Sequence, residues 1–449
     1  MVKAFHAYDI RGVYGVDFSK EDAYKIGFFL PELLKAKKLL IGRDDRISSP
    51  EIFENLCRGI NEAGADVFDA GLTTTPMIYW GTAKYDFDGS IMITASHNPK
   101  EYNGMKVSGK NALPVGYDTG LKEIEKKINE NATINPTVTK GKITVFDIKE
   151  AYLNFQRQYL TDLTGLKISI DCSNGMAGLL IKDLLKEQPV YINETLDGTF
   201  PNHEPNPLIP ENVKQLQETV LKNASDIGVI FDGDADRVMF VDEKANFISP
   251  DLIIALLGHY FLEEKGLKGN VLQDIRTSKA VGEYIRKLGG TMHTWRVGRA
   301  YAALKLREIN GIFGGELAGH YYFRDFYYSD SGIMASILVL RLVNRFKKEG
   351  VSFSQIIDEI RKYANSGEIN FRIEKKKEAM DAVRDAVTAK EKPDASYDFD
   401  GYRIEFPDWW FNIRPSNTEP YLRLLVEAKT EELLTEKVSF IKNIINQYK

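Results

Sequence analysis

Short, mostly apolar runs recur along the chain, each ending in a polar loop that passes into a stretch of helical character. Lys38-Leu-Leu-Ile-Gly-Arg-Asp44, Ser90-Ile-Met-Ile-Thr94, Leu166-Lys-Ile-Ser-Ile-Asp171 and Ile227-Gly-Val-Ile-Phe-Asp232 are examples. Continuous rather than alternating apolar residues mark strands buried on both faces. Strand, loop and helix in alternation predict α/β layering, with ligands held beyond the carboxyl ends of the strands. Ser249-Pro250-Asp251 predicts a helix start, with Ser as N-cap and Pro at the first helical position, so Leu252–Leu257 reads as a buried helix. Val271–Ile275 predicts another strand, and Ser278 caps a helix that closes at Gly289-Gly290.

The polar stretch from Asn129 to Gly141 reads as a connector before a helix near Asp147. Near Ser366 the charge density rises and the pattern changes. Strands at Ile369–Ile373, Gly401–Phe406, Phe411–Arg414 and Tyr421–Ala428 alternate with helices at Lys375–Ala389 and Thr430–Gln447, the mark of a separate α+β unit. The expected division is 1–145, 146–248, 249–365 and 366–449, and a chain of 449 residues is too long for one core. There is no low-complexity segment and no short-period repeat.

Composition narrows the partners. With 43% hydrophobic and 27% charged residues the chain is ordinary globular protein. A net charge of −5 argues against a nucleic-acid binder but leaves room for a small anion in a local basic pocket. Cys57 and Cys172 stand at no metal-ligand spacing, so neither a disulfide framework nor a structural zinc is expected. There is no apolar signal region and no run of about 18 apolar residues. A cytoplasmic protein without a membrane partner is the expectation.

Four motifs carry candidate chemistry. Thr94-Ala-Ser-His-Asn-Pro99 follows a buried strand. Adjacent residues on an extended chain point apart, which argues against a Ser96–His97 hydrolase pair. The Ser96 hydroxyl can instead be phosphorylated, gaining roughly −1.5 to −2 charges, or the segment can be a capped turn. Asp232-Gly-Asp-Ala-Asp-Arg237 offers three alternating carboxylates to a hard cation such as magnesium or calcium. Its glycine position, and the lack of a Glu at the twelfth, exclude an EF-hand. Gly314-Gly-Glu-Leu-Ala-Gly-His320 combines close-approach glycines with Glu316 and His320, which can read sugar hydroxyls, or is a glycine-rich turn. Arg414-Pro-Ser-Asn-Thr-Glu-Pro420, with Arg423 on the next strand, reads as an anion nest or a capped turn. Arg11, Arg43, Arg46, Lys106 and Arg296 also sit on candidate loops, while His6, His203, His259 and His293 have no chemical neighbours in sequence.

In this order and at these separations, the motifs resemble the α-D-phosphohexomutase superfamily from Tyr8-Asp-Ile-Arg-Gly12 to Pro420, nearest its phosphomannomutase/phosphoglucomutase branch. The resemblance implies a heart-shaped four-domain architecture, three related α/β domains and a smaller carboxyl-terminal one, each giving a loop to a central cleft. It implies phosphotransfer between C1 and C6 of glucose or mannose through phospho-Ser96 and a bound hexose 1,6-bisphosphate. Ser96, Asp232, Asp234 and Asp236 are then the metal site for Mg2+, and glucose 1,6-bisphosphate the activator. Catalysis falls to Ser96, Lys106, His97, Arg11 and Arg237, with Lys106 the first candidate acid/base. Sugar contacts fall to Gly315, Glu316, Ala318, His320, Arg296 and Gly298, and the remote phosphate to Arg414, Ser416, Asn417, Thr418 and Arg423. Ala318 departs from the branch, which carries Ser there, so an amino-sugar phosphate mutase stays open beside a metal-dependent phosphatase. A monomer or homodimer fits equally.

Overall fold

The structure is a computed structural model that describes residues 2–416 and 421–448. Four sheets follow one another along the chain, and the first three share one construction. In the first, parallel strands Ile143–Val145, Asp66–Leu72, Lys38–Arg43 and Gly89–Ile93 lead into antiparallel Tyr102–Gly109 and Ile10–Val13. In the second, parallel Val190–Ile192, Ile168–Asp171 and Ile227–Phe231 lead into antiparallel Val238–Asp242 and Phe247–Ile248. In the third, parallel Thr291–Trp295, Asn270–Asp274 and Phe313–Gly315 lead into antiparallel Tyr321–Phe323 and Ser329–Asp330.

The consequence is positional. In each sheet the last parallel strand turns straight back into an antiparallel one, and the turn is one of the sequence motifs: 94–101, 232–237 and 316–320. The fourth sheet is antiparallel throughout its strands, and residues 416–420 join Trp409–Pro415 to Tyr421–Ala428.

One apolar core runs through the first three units, joining Leu40, Met77 and Trp80 to Ile168 and Phe231 and to Leu256, Phe313 and Leu338. The fourth unit closes its own core around Phe371, Val383, Trp409, Leu424 and Ile441. Among the described residues no helix is long and apolar enough to cross a membrane. Both cysteines are free and buried.

Local expectations meet two corrections. Arg11, Arg43 and Lys106, expected on loops, lie within the strands Ile10–Val13, Lys38–Arg43 and Tyr102–Gly109. The helix Pro250–Gly258 forms as predicted, but the Ser249 hydroxyl does not cap it; Ser249 Oγ donates to Asp251 Oδ1 at 2.5 Å. Ser278 does cap Lys279–Lys287, accepting from the Ala280 N–H at 3.2 Å. Thr291–Trp295 and the three-residue strands of the third sheet went unpredicted, being too short or too polar to stand out as apolar runs.

Candidate active site

Ser96 takes a left-handed conformation, φ 51°, at the tip of the first turn. Its N–H donates to Thr94 Oγ1 at 2.9 Å, and the Asn98 N–H donates to the Ala95 carbonyl at 3.0 Å. Because this turn is not extended, the two neighbouring side chains do not point apart as expected: His97 Nδ1 comes back to 3.4 Å from Ser96 Oγ. The hydroxyl itself donates to Asp232 Oδ2 at 3.0 Å. Burial first, then the charges of Arg237, Arg11 and Lys106, hold the His97 pKa well below the usual imidazole value. Arg11 donates to Asn98 Oδ1 at 2.8 Å and pairs with Asp9.

Asp232, Asp234 and Asp236 are buried, and each presents an oxygen within 4.8 Å of the others. Lys106 Nζ stands against the group, donating to Asp234 Oδ2 at 2.6 Å and to Asp236 Oδ2; Thr75 Oγ1 also donates to Asp234. Burial, then Asp236 and Asp234, push the Asp232 carboxyl well up. Burial opposes the charge on Asp236, but Lys106 and the other cations win and its pKa is lowered. Burial likewise opposes the Lys106 charge, and the two carboxylates overcome it, so the ammonium is held. Asp234 Oδ1 and Asp236 Oδ1 are buried with no hydrogen-bond donor. Oxygen-only donors with orphaned carboxylate oxygens suit a hard divalent cation.

The second and third turns are tied together. Arg237 and His320 form a backbone bridge, and Arg237 Nε donates to His320 Nε2 at 2.9 Å. His320 Nδ1 lies 2.7 Å from Asp330 Oδ2. Glu316 Oε1 accepts from the Gly298 N–H at 2.7 Å; burial, then Asp274, raise its carboxyl pKa despite His320. Gly298 has φ 117°, and a Cβ there would lie 2.6 Å from the Tyr8 ring, so only glycine fits. These loops enclose a cavity of about 160 Å3 whose walls include Ser96, Lys106, Arg11, Arg237, Glu316 and His320, with Ala318 and Gly298 also on its surface.

Other sequence candidates lie elsewhere. Gly315 is inside a strand, where a Cβ would lie 2.8 Å from Ile254, and it is not among the residues that line the cavity. Arg296 is exposed, its guanidinium 4.2 Å from the centre of the Tyr301 ring, and does not line the cavity. Arg414 and Arg423 face each other across two strands; Arg414 meets Asp400 at 3.4 Å and Arg423 meets Glu368 at 3.2 Å. The Ser416 N–H donates to the Tyr421 carbonyl at 2.8 Å, while Asn417 and Thr418 lie outside the described residues. Arg276 lines the central cavity and also a small recess with Arg423, connecting the two regions.

Sequence reasoning missed Arg276 and Arg299 altogether. Arg276 sits just beyond the carboxyl end of Asn270–Asp274, so the rule that flagged the other loops extends to it. Arg299 follows Gly298 and rests over the Tyr79 ring at 3.5 Å.

Four consecutive segments match the phosphoglucomutase/phosphomannomutase family: alpha/beta/alpha domains I, II and III over residues 2–135, 148–245 and 249–363, and the C-terminal domain over 368–443. A phosphomannomutase of Methanocaldococcus jannaschii is 37% identical over 98% of this chain and 97% of its own. One from Escherichia coli K12 is 35% identical over 96% and 98%. The crystal structure of a phosphoglucomutase/phosphomannomutase family protein from Burkholderia thailandensis superposes with a TM-score of 0.89 at 27% identity, covering 100% of this chain and 98% of that one.

Proposed function

The chain belongs to the phosphoglucomutase/phosphomannomutase family, and from that premise we propose that it interconverts hexose 1-phosphate and hexose 6-phosphate, of mannose, glucose or both, through phospho-Ser96. The observation that carries this reading is the convergence of three turns on one cavity, with Ser96 Oγ on Asp232 and the cations Lys106, Arg11 and Arg237 around it. Four units divided at 145/146, 248/249 and 365/366 supply the parts.

In the forward half-reaction the P–Oγ bond of phospho-Ser96 breaks and a bond from phosphorus to a free sugar hydroxyl oxygen forms. The hydroxyl proton leaves to a base in the site. In the second half, the reoriented bisphosphate returns its other phosphoryl to Ser96 Oγ. His97, 3.4 Å from Oγ, is placed to exchange a proton with it, and Lys106 is the other acid/base candidate, although Asp234 and Asp236 hold its ammonium and so oppose release of a proton. Arg11 and Arg237 balance charge on the equatorial oxygens. Asp232, Asp234 and Asp236 would hold Mg2+, which when bound neutralises charge on the transferring group. Glucose 1,6-bisphosphate would act as activator by restoring phospho-Ser96. Glu316, Ala318, His320 and Gly298 border the sugar, and Arg414, Ser416, Asn417, Thr418 and Arg423 serve the phosphate that is not reacting. Hexose phosphates are charged metabolites, so a cytoplasmic site of action fits the reading.

The test is coupled conversion of glucose 1-phosphate and mannose 1-phosphate to their 6-phosphates, with Mg2+ and a trace of glucose 1,6-bisphosphate. Conversion abolished by EDTA and strongly reduced in Ser96→Ala is expected. No conversion of either sugar by phosphorylated, magnesium-loaded protein would sink the substrate assignment, and amino-sugar phosphates would be assayed next. Steady release of inorganic phosphate would mark a phosphatase instead.

A further inference from the structure

Along the cavity wall a line of polar side chains runs from Ser96 through Asp232, Arg237, His320 and Asp330 to Arg299, with Asp232 and Asp330 set behind the lining. Arg237 is held to Asp232 by its own N–H at 3.1 Å and lies 3.9 Å from the same carboxylate through Nε. That Nε donates to His320 Nε2. A guanidinium nitrogen can only donate, so the facing ring nitrogen must carry a lone pair. The proton of the neutral ring then belongs on Nδ1, which is the nitrogen aimed at Asp330 Oδ2 at 2.7 Å. Asp330 is fully buried, and its second oxygen, 3.3 Å from Arg299 Nε, has its charge balanced there. Arg299 is in turn fixed over the Tyr79 ring.

We propose that Asp330 is a positioning residue: by accepting the Nδ1 proton of His320 it leaves Nε2 as an acceptor, and so sets the guanidinium of Arg237 beside Asp232 and Ser96. The carboxylate of one residue dictates the tautomer of a second and, through it, the aim of a third. Asp236, His320 and Asp330 also lie close enough to suggest a second cation site. Lys106, Arg237 and Arg299 already stand against these three groups, so the protein's own cations fill that role. His320, read from sequence as a sugar contact, has both ring nitrogens engaged by protein.

An Asn at 330 offers one acceptor oxygen where Asp offers two. Turned toward Arg299, its NH2 would oppose a charged donor, so the oxygen takes that side and the NH2 faces His320, driving the proton to Nε2, opposite the Arg237 donor. The tautomer can be read directly. Histidines labelled with 15N in the intact protein give six rings in a multiple-bond 1H–15N spectrum, and His320→Gln identifies one set by its loss. The expected wild-type signature is a protonated Nδ1 and an unprotonated Nε2. In Asp330→Asn that signature changes, and kcat for hexose phosphate conversion falls about 10- to 100-fold with KM little altered. A proton on Nε2, or on both nitrogens, in the wild-type ring overturns the proposal. So does an Asp330→Asn protein with native spectrum and native kcat. Only the kcat readout rests on the mutase reading: a wild-type protein without turnover refutes that reading, and the spectrum still decides this one.

Discussion

Arg46 fixes the serine turn more completely than any residue within it. Its buried guanidinium donates to the carbonyls of Pro99 at 2.6 Å, Asn98 at 2.7 Å, Ser96 at 2.9 Å and Tyr102 at 3.1 Å, and pairs with Asp44 at 3.2 Å. A lysine can replace the charge but not this fan of donors. Arg46→Lys should therefore speed amide exchange across 94–102 while the rest of the first sheet keeps its protection, measured by hydrogen–deuterium exchange. Arg46→Met should do more, because it strands the buried Asp44 carboxylate, and a destabilisation of about 3–5 kcal/mol is expected from denaturation. Native exchange in both variants would show that the turn holds itself. Arg46 also explains what the sequence concealed. Ser96 and the three Asp residues were legible because their chemistry demands particular residue types in a short span after a strand, whereas Lys106 gained its role only through the family resemblance. Arg276, Arg299 and Asp330 were not, and Arg46 stood out only as one of several basic loop residues, since a lone charged residue reads as surface until the folded chain buries it. The closeness of His97 to Ser96 was hidden too, because it depends on one positive φ angle.

At the scale of elements, the apolar runs predicted the central parallel strands because those strands are buried on both faces, where composition alone identifies them. The helices that hold the strands rest on details no periodicity shows. Lys20–Leu34 and Ser49–Glu62 cross where Gly27 faces Gly59. A Cβ on Gly27 would lie 2.1 Å from the Leu56 carbonyl oxygen, and one on Gly59 2.1 Å from that of Tyr24. The second helix begins just after Arg46, so this contact sets where the Arg46 guanidinium starts. Gly59→Ala isolates the competition between propensity and packing. Alanine favours a helix interior by about 1 kcal/mol, whereas overpacking against rigid backbone costs typically 1–3 kcal/mol or more. Backbone cannot swing aside as a side chain can, so net destabilisation is the expected outcome, read as a lower denaturation midpoint. A midpoint that rises would mean that the helices part without cost.

At the scale of the molecule, the first three units are fused through one apolar core, whereas the fourth is attached largely by polar contacts. Arg403 reaches across to the Ile275 carbonyl at 2.9 Å and to that of Thr277, and Lys279 donates to the Phe406 carbonyl at 2.7 Å. Between them lies Glu427, which accepts from Ser278 at 2.7 Å, from Trp410 at 2.6 Å and from Asn365 at 2.8 Å. Burial first, then the nearby Asp251 charge, push its pKa from 4.5 up to about 7, against these three donors. A carboxyl raised in the folded state binds a proton that the unfolded chain has already released, so its contribution to stability is lost as pH rises from about 4.5 to about 7. The full loss is on the order of 3 kcal/mol. Because the group spans the joint, the penalty should fall on the attachment of the fourth unit rather than on the fused three. Denaturation midpoints of wild type and Glu427→Gln between pH 5 and pH 8 separate this carboxyl from every other titrating group. The wild type should lose stability relative to the variant as pH rises, with exchange quickening first at the 361–368 connection. A difference that stays constant with pH would mean that Glu427 is ionised throughout and that the joint has no such dependence.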